Sequence, residues 1–375
     1  MSKRILRRAT KVILITCNVV VALCFLAGSF TSWFDPEKFW FLGIFTLGAF
    51  YSLLILVGFF IFWLFAKKPL TLISIIAIAI SWKPLRELVA FRIAPDFSIK
   101  KDTADIRVMS WNVEHFDILE HKSHPERKEQ MIDMVNKYQP DVACFQEMVG
   151  SDIFSSAINY VPYFKSRLNM EDYHYSYNYK LDFDNKHHFG IIIFSKYPIV
   201  KKQTFAYDKR DYNSTFQYVD IVRDEDTFRV FNVHLQSLKF SNENRRYIDD
   251  PSIKDESDIE ESRSVIAKLK IGYLKRKLQS ERIKHEADKS PYPVIICGDF
   301  NDVPNSFAYH TIGRGMKNAF TEKGSAIGRT FYGISPTLRI DNIFADEKLE
   351  IKQYVRVKKK LSDHFPVIAD LRYEK

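Results

Sequence analysis

The sequence predicts an α/β domain carried behind an apolar, helical N-terminal segment. Three observations lead there. Residues 1–91 are dominated by three long apolar runs, and about 20 apolar residues suffice for a membrane-spanning helix. Beyond residue 105 the chain reads strand, helix, strand, from Ile106–Val113 through Pro125–Tyr138 to Asp141–Phe145, the opening of an α/β arrangement. Charge divides at the same place: residues 1–100 hold 12 Lys/Arg and 4 Asp/Glu, so the whole-chain totals of 55 and 46 leave 43 and 42 for the remainder. The net +9 thus belongs to the N-terminal third, and the following domain lacks the positive excess that nucleic-acid binding draws on.

The first apolar run, Val12 to Phe34, follows Lys3, Arg4, Arg7, Arg8 and Lys11. It is too long, and too poor in small-residue cleavage signals, for a removable leader. The second, Phe39 to Ala66, ends in Lys67 and Lys68. A third, Leu70 to Phe91, contains Lys83 and Arg86, which would snorkel to an interface; its alternative is an amphipathic helix lying on the surface. Spans are expected at about 12–34, 39–66 and 70–91, with a membrane anchor over residues 1–95. Basic flanks favour the cytoplasm. Three spans would place the later domain on the periplasmic side of a bacterial inner membrane, and two would leave it cytoplasmic. A transporter is disfavoured, since the runs lack a polar pathway apart from Asn18. Cys17 and Cys24 lie in the first run, Cys144 and Cys297 in predicted strands, and without C-x-x-C spacing they read as small buried hydrophobes.

A polar linker, 96–104, leads into a domain over 105–375. After its first two strands come aromatic-rich residues 163–183, expected to form a substrate-facing loop or an edge strand. A strand at Gly190–Ser195 follows, with His187 and His188 before it read as an exposed loop pair. Phe216–Val222 and Thr227–Leu235 flank Asp224-Glu225-Asp226 as a hairpin. Residues 241–262 are charged, aperiodic and contain Pro251, so a surface excursion is expected. A helix follows from about 264 to 287, then a buried strand Val294–Cys297 ending in Gly298-Asp299-Phe300-Asn301. A short helix near 306–313, strands at 338–344 and near 351–357, and Ser362–Ile368 close the chain.

Six of these strands deliver polar residues at or near their ends: Asn112 (beside Glu114 and His115), Glu147, His234, Asp299 with Asn301, Asp341, and Asp363 with His364. Each alone reads as a turn former, a solvated charge or a satisfied core histidine. Their recurrence points to one site built from loops at strand ends.

Together Ser110-Trp111-Asn112, Phe145-Gln146-Glu147, Gly190–Ile199, Asn232-Val233-His234-Leu235, Gly298-Asp299-Phe300-Asn301, Arg339-Ile340-Asp341 and Ser362–Val367 resemble the endonuclease/exonuclease/phosphatase superfamily. The resemblance covers residues 105–372 and excludes the anchor. It implies a four-layered α/β sandwich, two packed mixed sheets flanked by helices, and metal-assisted phosphoester hydrolysis by an activated water. Glu147 matches the principal Mg²⁺ ligand, with Asn112 beside it and Asp363 assisting; Mn²⁺ is the other cation that hard oxygen ligands suit. Asp299 matches the residue that orients or deprotonates water, Asn301 a phosphate-oxygen ligand, His364 a phosphate contact oriented by Asp341, and His234 a leaving-group acid. His188 is a weak substrate-binding candidate. The substrate classes left open are nucleic acid, which the cluster Lys201, Lys202, Lys209 and Arg210 would serve, a phospholipid head group of the sphingomyelin or phosphoinositide type, and a phosphorylated metabolite. The non-enzymatic reading is a silent binding module tethered to the bilayer.

Overall fold

The computed structural model describes residues 3–93, 95–114, 124–153, 156, 158–177, 186–206, 215–238, 240–249 and 256–374. His115, Lys209, Arg210 and Pro251 lie outside them.

The apolar segment folds as helices α1 (Lys3–Ser29), α2 (Pro36–Phe39), α3 (Leu42–Leu47), α4 (Ala49–Ala66), α5 (Thr71–Ile80) and α6 (Trp82–Leu88). Arg4–Ser29 and Ala49–Ala66 are long and apolar enough to cross a membrane. Residues Lys68–Ile80 and Trp82–Leu88 together also pass that test, but bend by 71° between them. The boundaries differ from the apolar runs for a physical reason: lack of charge defines what a bilayer tolerates, not where a helix starts. Basic residues before Val12 continue α1, and the second run breaks at Gly48, so its first part forms α3. There the Thr46 hydroxyl donates to Thr31 Oγ1 at 2.7 Å. Asn18 is a satisfied core residue: it donates to Ser74 Oγ at 3.2 Å and accepts from Trp63 Nε1 at 3.2 Å.

The remaining chain runs β1 (Ile106–Asn112), α7 (Glu126–Tyr138), β2 (Val142–Ser151), α8 (Tyr160–Arg167), β3 (Asp172–Tyr177), β4 (His187–Ser195), β5 (Ile199–Ala206), β6 (Thr215–Arg223), β7 (Asp226–His234), α9 (Asn242–Asp249), α10 (Glu256–Asp288), β8 (Val294–Asp299), α11 (Phe307–Gly313), β9 (Met316–Asn318), α12 (Ala319–Lys323), β10 (Asp341–Asp346), β11 (Leu349–Arg356) and β12 (Val367–Tyr373). Two six-stranded sheets result, ordered β11-β12-β1-β2-β4-β3 and β5-β6-β7-β8-β10-β9. Alternation along β1 assigns the layers, because successive side chains face opposite ways. Ile106 and Val108 join Cys144, Cys297 and Ile343 between the sheets, while Met109 and Trp111 pack outward with Met131, Val135 and Phe164 of α7 and α8. On the far side Phe231 and Ile296 meet Ile283 and Ile312 of α10 and α11. This is the expected sandwich of two mixed sheets flanked by helices.

Two expectations fail in instructive ways. The charged excursion at 241–262 is largely helical, as α9 and the start of α10; a helix solvated around most of its surface needs no apolar stripe, so its charges hid it. His187 and His188 are buried within β4 rather than exposed. His187 Nε2 lies 2.9 Å from Ser156 Oγ, and His188 stacks on Tyr177 at 4.2 Å with Nε2 3.0 Å from Asp152 Oδ1. Within the aromatic stretch, Asp172–Tyr177 form an edge strand, β3, and residues 178–183 lie outside the described ones. The 96–104 linker is strapped down: Arg107, paired bidentately with Asp370 at 2.6 and 2.8 Å, also donates to the Ser98, Ile99 and Tyr138 carbonyls.

The domain and the apolar segment touch directly. Lys277 Nζ lies 2.7 Å from Glu37 Oε1, Tyr51 Oη 2.9 Å from Ser335 Oγ, and Asn305 Nδ2 donates to the Pro84 carbonyl at 3.1 Å. Arg339 donates to the Glu87 carbonyl.

Candidate active site

Sheet directions bring the polar strand ends together. β1 and β2 are parallel, as are β7 and β8, while β12 runs antiparallel to β1 and β10 antiparallel to β8. The last residues of β1, β7 and β8 therefore meet the first of β10 and the residues just before β12. His234 lies in register with Asp299 across the parallel pair, and Asp341 with Asp299 across the antiparallel one. β7 and β8 approach so closely at Gly298 that a Cβ there would sit 1.9 Å from the Val233 carbonyl oxygen, and its φ of +145° admits glycine readily.

Glu147 arrives differently. It lies inside β2, where the pairing with β4 slips between Phe145 and Met148. A bulge of this kind re-aims a side chain, and Glu147 takes a φ of +59°. Gln146 anchors the bulge by donating to Asn232 Oδ1 at 2.7 Å, while Asn232 donates to the Phe145 carbonyl at 3.0 Å. Positive φ at a non-glycine residue costs on the order of 1–3 kcal/mol and collects at functional sites. Glu114 and Asn301 share it, at +49° and +48°.

Asp299 is the hub. Its Oδ1 accepts from the Asn301 backbone N–H at 2.8 Å, and its Oδ2 accepts from the side-chain amides of Asn112 at 3.2 Å and Asn301 at 3.3 Å. The same Oδ2 lies 3.7 Å from both His234 Nε2 and His364 Nε2. His234 Nε2 is 3.8 Å from Glu147 Oε1. His364 Nδ1 is 2.9 Å from Asp341 Oδ2, which fixes the ring and leaves Nε2 directed at Asp299 and Asp363. The backbone holds this dyad too: Trp111 Nε1 donates to the His364 carbonyl at 3.0 Å, and Thr330 Oγ1 accepts from the Asp341 N–H at 3.0 Å.

Burial and charge set the protonation states. Burial pushes the Asp299 carboxyl up to about 7; His364 opposes the rise and Asp341 adds to it. Burial pushes the His364 imidazole toward neutrality, but Asp341 and Asp299 outweigh it and hold its pKa well above the ordinary value. Asp363 is also raised, first by burial, with His364 opposing and Glu147 and Asp299 repelling its charge. The pattern is a carboxylate poised near neutrality beside a histidine kept protonated.

A cavity of about 670 Å³ opens on this cluster, lined by Asn112, Glu114, Glu147, His234, Asp299, Asn301, Asp363 and His364. Of the sequence-derived site residues, Asp341 stands behind His364, and His188 does not line the cavity. Sequence reading gave Glu114 no role, yet its Oε2 accepts from the Asp363 N–H at 2.8 Å and its N–H donates to Asn112 Oδ1 at 3.0 Å. Its place beside Asn112 in the motif was the available signal. Ser362, which accepts from the His364 N–H, lay in a quoted motif without a role of its own, and Thr330, which accepts from the Asp341 N–H, carried no signal. In the basic cluster, Lys202 is paired with Asp172 at 2.8 Å.

Asp299, Asp341 and His364 offer donor atoms all within 4.8 Å of one another. Asp341 Oδ2 is committed to His364, however, and the Asp299 oxygens to amide donors. Glu147, whose side chain is 16% exposed, faces the cavity together with Asn112 and Asp363. The donor set of carboxylate and amide oxygens fits a hard divalent cation.

A two-sheet sandwich with a His–Asp dyad and a buried Asp-x-Asn at one edge defines a class, and comparison with known proteins identifies it. Residues 109–364 match the family model described as the endonuclease/exonuclease/phosphatase family, and the chain belongs to that family. Residues 10–88 match a second model, described as a domain of unknown function. No protein in a search of curated sequences matches. Among solved structures, the endonuclease/exonuclease/phosphatase from Bacteroides vulgatus is similar at 18% identity, covering 72% of this chain and 99% of its own, with a TM-score of 0.51. The human Nocturnin catalytic domain is 17% identical over 72% of this chain and 94% of its own, at 0.48. D. rerio TDP2 complexed with single strand DNA product is 16% identical over 72% of this chain and 100% of its own, at 0.48.

Proposed function

We propose that this chain is a membrane-anchored, divalent-metal-dependent phosphoester hydrolase, with an anchor over residues 1–95 and a catalytic domain over 105–375. The observation that carries the reading is Asp299, raised to about 7, held within 3.7 Å of a histidine that Asp341 keeps protonated. Asp299 receives a proton from the attacking water as the water oxygen bonds to phosphorus. His364 and Asn301 bind the phosphoryl oxygens on which charge develops. Asp341 orients His364, and His234 returns a proton to the departing oxygen. Glu147, Asn112 and Asp363 would hold the cation, Mg²⁺ or Mn²⁺, which when bound would polarise the phosphoryl group and neutralise charge.

The domain sits on the side of the membrane opposite the basic ends. Glu37, between the first two spans, and Tyr51, on the first turn of the second, both touch it, which supports the periplasmic arrangement without depending on the bent third span. Labelling with an impermeant maleimide checks this: Lys289→Cys reacts in cells with a permeable outer membrane and Arg8→Cys does not, whereas the reverse would overturn the topology.

Bis(4-nitrophenyl) phosphate and the full chain in detergent test the chemistry. Hydrolysis requires Mg²⁺ or Mn²⁺ and stops with EDTA. Asp299→Ala and His364→Ala each lose about 10²–10⁴-fold, the usual worth of an acid or base, with cooperative melts retained. Near wild-type turnover in either folded variant would refute the assignment.

A further inference from the structure

We infer that the phosphoester taken by this site is an amphiphile whose apolar chain lies between the membrane segment and α10. The inference rests on the hydrolase reading above and adds the substrate class to it. The cavity that opens on the catalytic cluster does not end there. Its other lining is mostly apolar, with Arg245, Arg276 and Asp302 its charged members, and the apolar side chains come from four parts of the chain: Leu47 of α3, Leu238 and Phe240 between β7 and α9, Val265 and Leu269 of α10, and Ile334. At about 670 Å³ it is in the usual range for a site that encloses a small ligand.

Two features tie this wall to the bilayer. Leu47 and Gly48 lead directly into α4, the apolar helix Ala49–Ala66, and Tyr51 on its first turn also lines the cavity. The wall is packed without slack: Tyr273 of α10 lies against Gly43 of α3, where a Cβ would come within 2.4 Å of its ring. The membrane segment is therefore part of the substrate cavity as well as a tether. The Tyr273 hydroxyl is buried at this wall with no hydrogen-bond partner among the described residues, a donor suited to an ester or phosphate oxygen of a bound amphiphile.

A nucleic acid would use such a cavity poorly. Phosphate-backbone binding draws on several clustered cations, but of the two arginines in the lining the buried Arg276 is committed to Asp302 Oδ2 and the Gln236 carbonyl, each at 3.0 Å, which leaves Arg245 alone for such a role. An apolar chain instead gains from each methylene withdrawn from water.

The test uses a series in which only the chain varies: methyl, octyl and hexadecyl esters of 4-nitrophenyl phosphate, given to the full chain in detergent with Mg²⁺. Water adds to phosphorus, the bond to the nitrophenyl oxygen breaks, and nitrophenolate and the alkyl phosphate are released. From methyl to hexadecyl, kcat/KM rises at least about 100-fold, the worth of roughly three to four buried methylenes. Partition into micelles affects wild type and variants alike, so the difference in this ratio between them reads the cavity. Val265→Gln and Leu47→Gln each lower the ratio at least tenfold; Leu47→Gln carries the comparison if Val265→Gln fails to fold. In EDTA, hexadecyl phosphate raises the melting temperature of the wild type but not of the variants, and methyl phosphate raises neither.

A chain-length ratio that is flat, or equal in wild type and variants, overturns the inference and leaves the hydrolase reading standing. Faster turnover of single-stranded DNA than of the hexadecyl ester also overturns it. If no homologue is hydrolysed, the hydrolase reading fails, and the hexadecyl phosphate melts decide the apolar-chain inference independently.

Discussion

Replacing Asp341 with Asn isolates the charge that governs His364. The two side chains are both buried, and Nδ1 lies 2.9 Å from Oδ2. Asn keeps the shape and an acceptor but removes the carboxylate that most favours the imidazolium. The His364 pKa then falls, because burial opposes charging once the partner is neutral. If His364 acts protonated, the basic limb of the kcat/KM profile moves to lower pH, and activity at pH 8 drops by about 10²–10⁴-fold. Stability follows with a defined sign. A histidine whose folded pKa is raised contributes stability that is fully present below its unfolded value near 6.5 and is lost as pH rises through the folded value. The variant is therefore least stable relative to wild type at pH 6, and the gap closes toward pH 9. A hydrogen bond to a charged group is worth about 1.5–3 kcal/mol, which for a domain of this size corresponds to a melting shift of about 3–12 °C. Thermal melts at pH 6 and 9, with a pH–rate profile using bis(4-nitrophenyl) phosphate, read both effects. An unmoved basic limb, or an equal melting gap at both pH values, would refute the role given to Asp341.

Glu147→Gln raises the Mg²⁺ concentration for half-maximal activity by at least the roughly 10–100-fold that loss of a mere supporting residue costs, and unchanged Mg²⁺ dependence would remove Glu147 from the cation site. Gly298→Ala places a methyl where only 1.9 Å separates it from the Val233 carbonyl oxygen; the expected loss exceeds about 4 kcal/mol, and a melt within a few degrees of wild type would contradict the close approach. Arg107→Met leaves Asp370 as an uncompensated buried charge and abandons three carbonyls, at a cost of about 3–5 kcal/mol. Restoring stability in the Asp370→Leu double variant checks that mechanism.

What could be read beforehand divides along a physical line. Strand ends carrying Asn112, His234, Asp299 and Asp341 were legible because apolar runs and their polar terminators are local properties. Their convergence was not: it depends on which strands run parallel, and a single sequence shows no pairing. Glu147 shows the limit most clearly. Its residue type and motif marked it, yet it is delivered by a bulge and a positive φ within a strand, and neither leaves a trace in composition. The charged helix α9 and the first turns of α10, before about residue 264, went unrecognised for the opposite reason, since periodicity reports burial and these stretches bury little of their surface. The cavity wall is the extreme case. Leu47 and Val265 are 218 positions apart and line one cavity only because the apolar segment and the domain fold against each other. On the reading proposed above, one part is an anchor and the other a hydrolase, and the contact of Gly43 with Tyr273 makes the apolar segment a boundary of the cavity. Substrate selection is therefore to be sought at that junction rather than in the catalytic motifs.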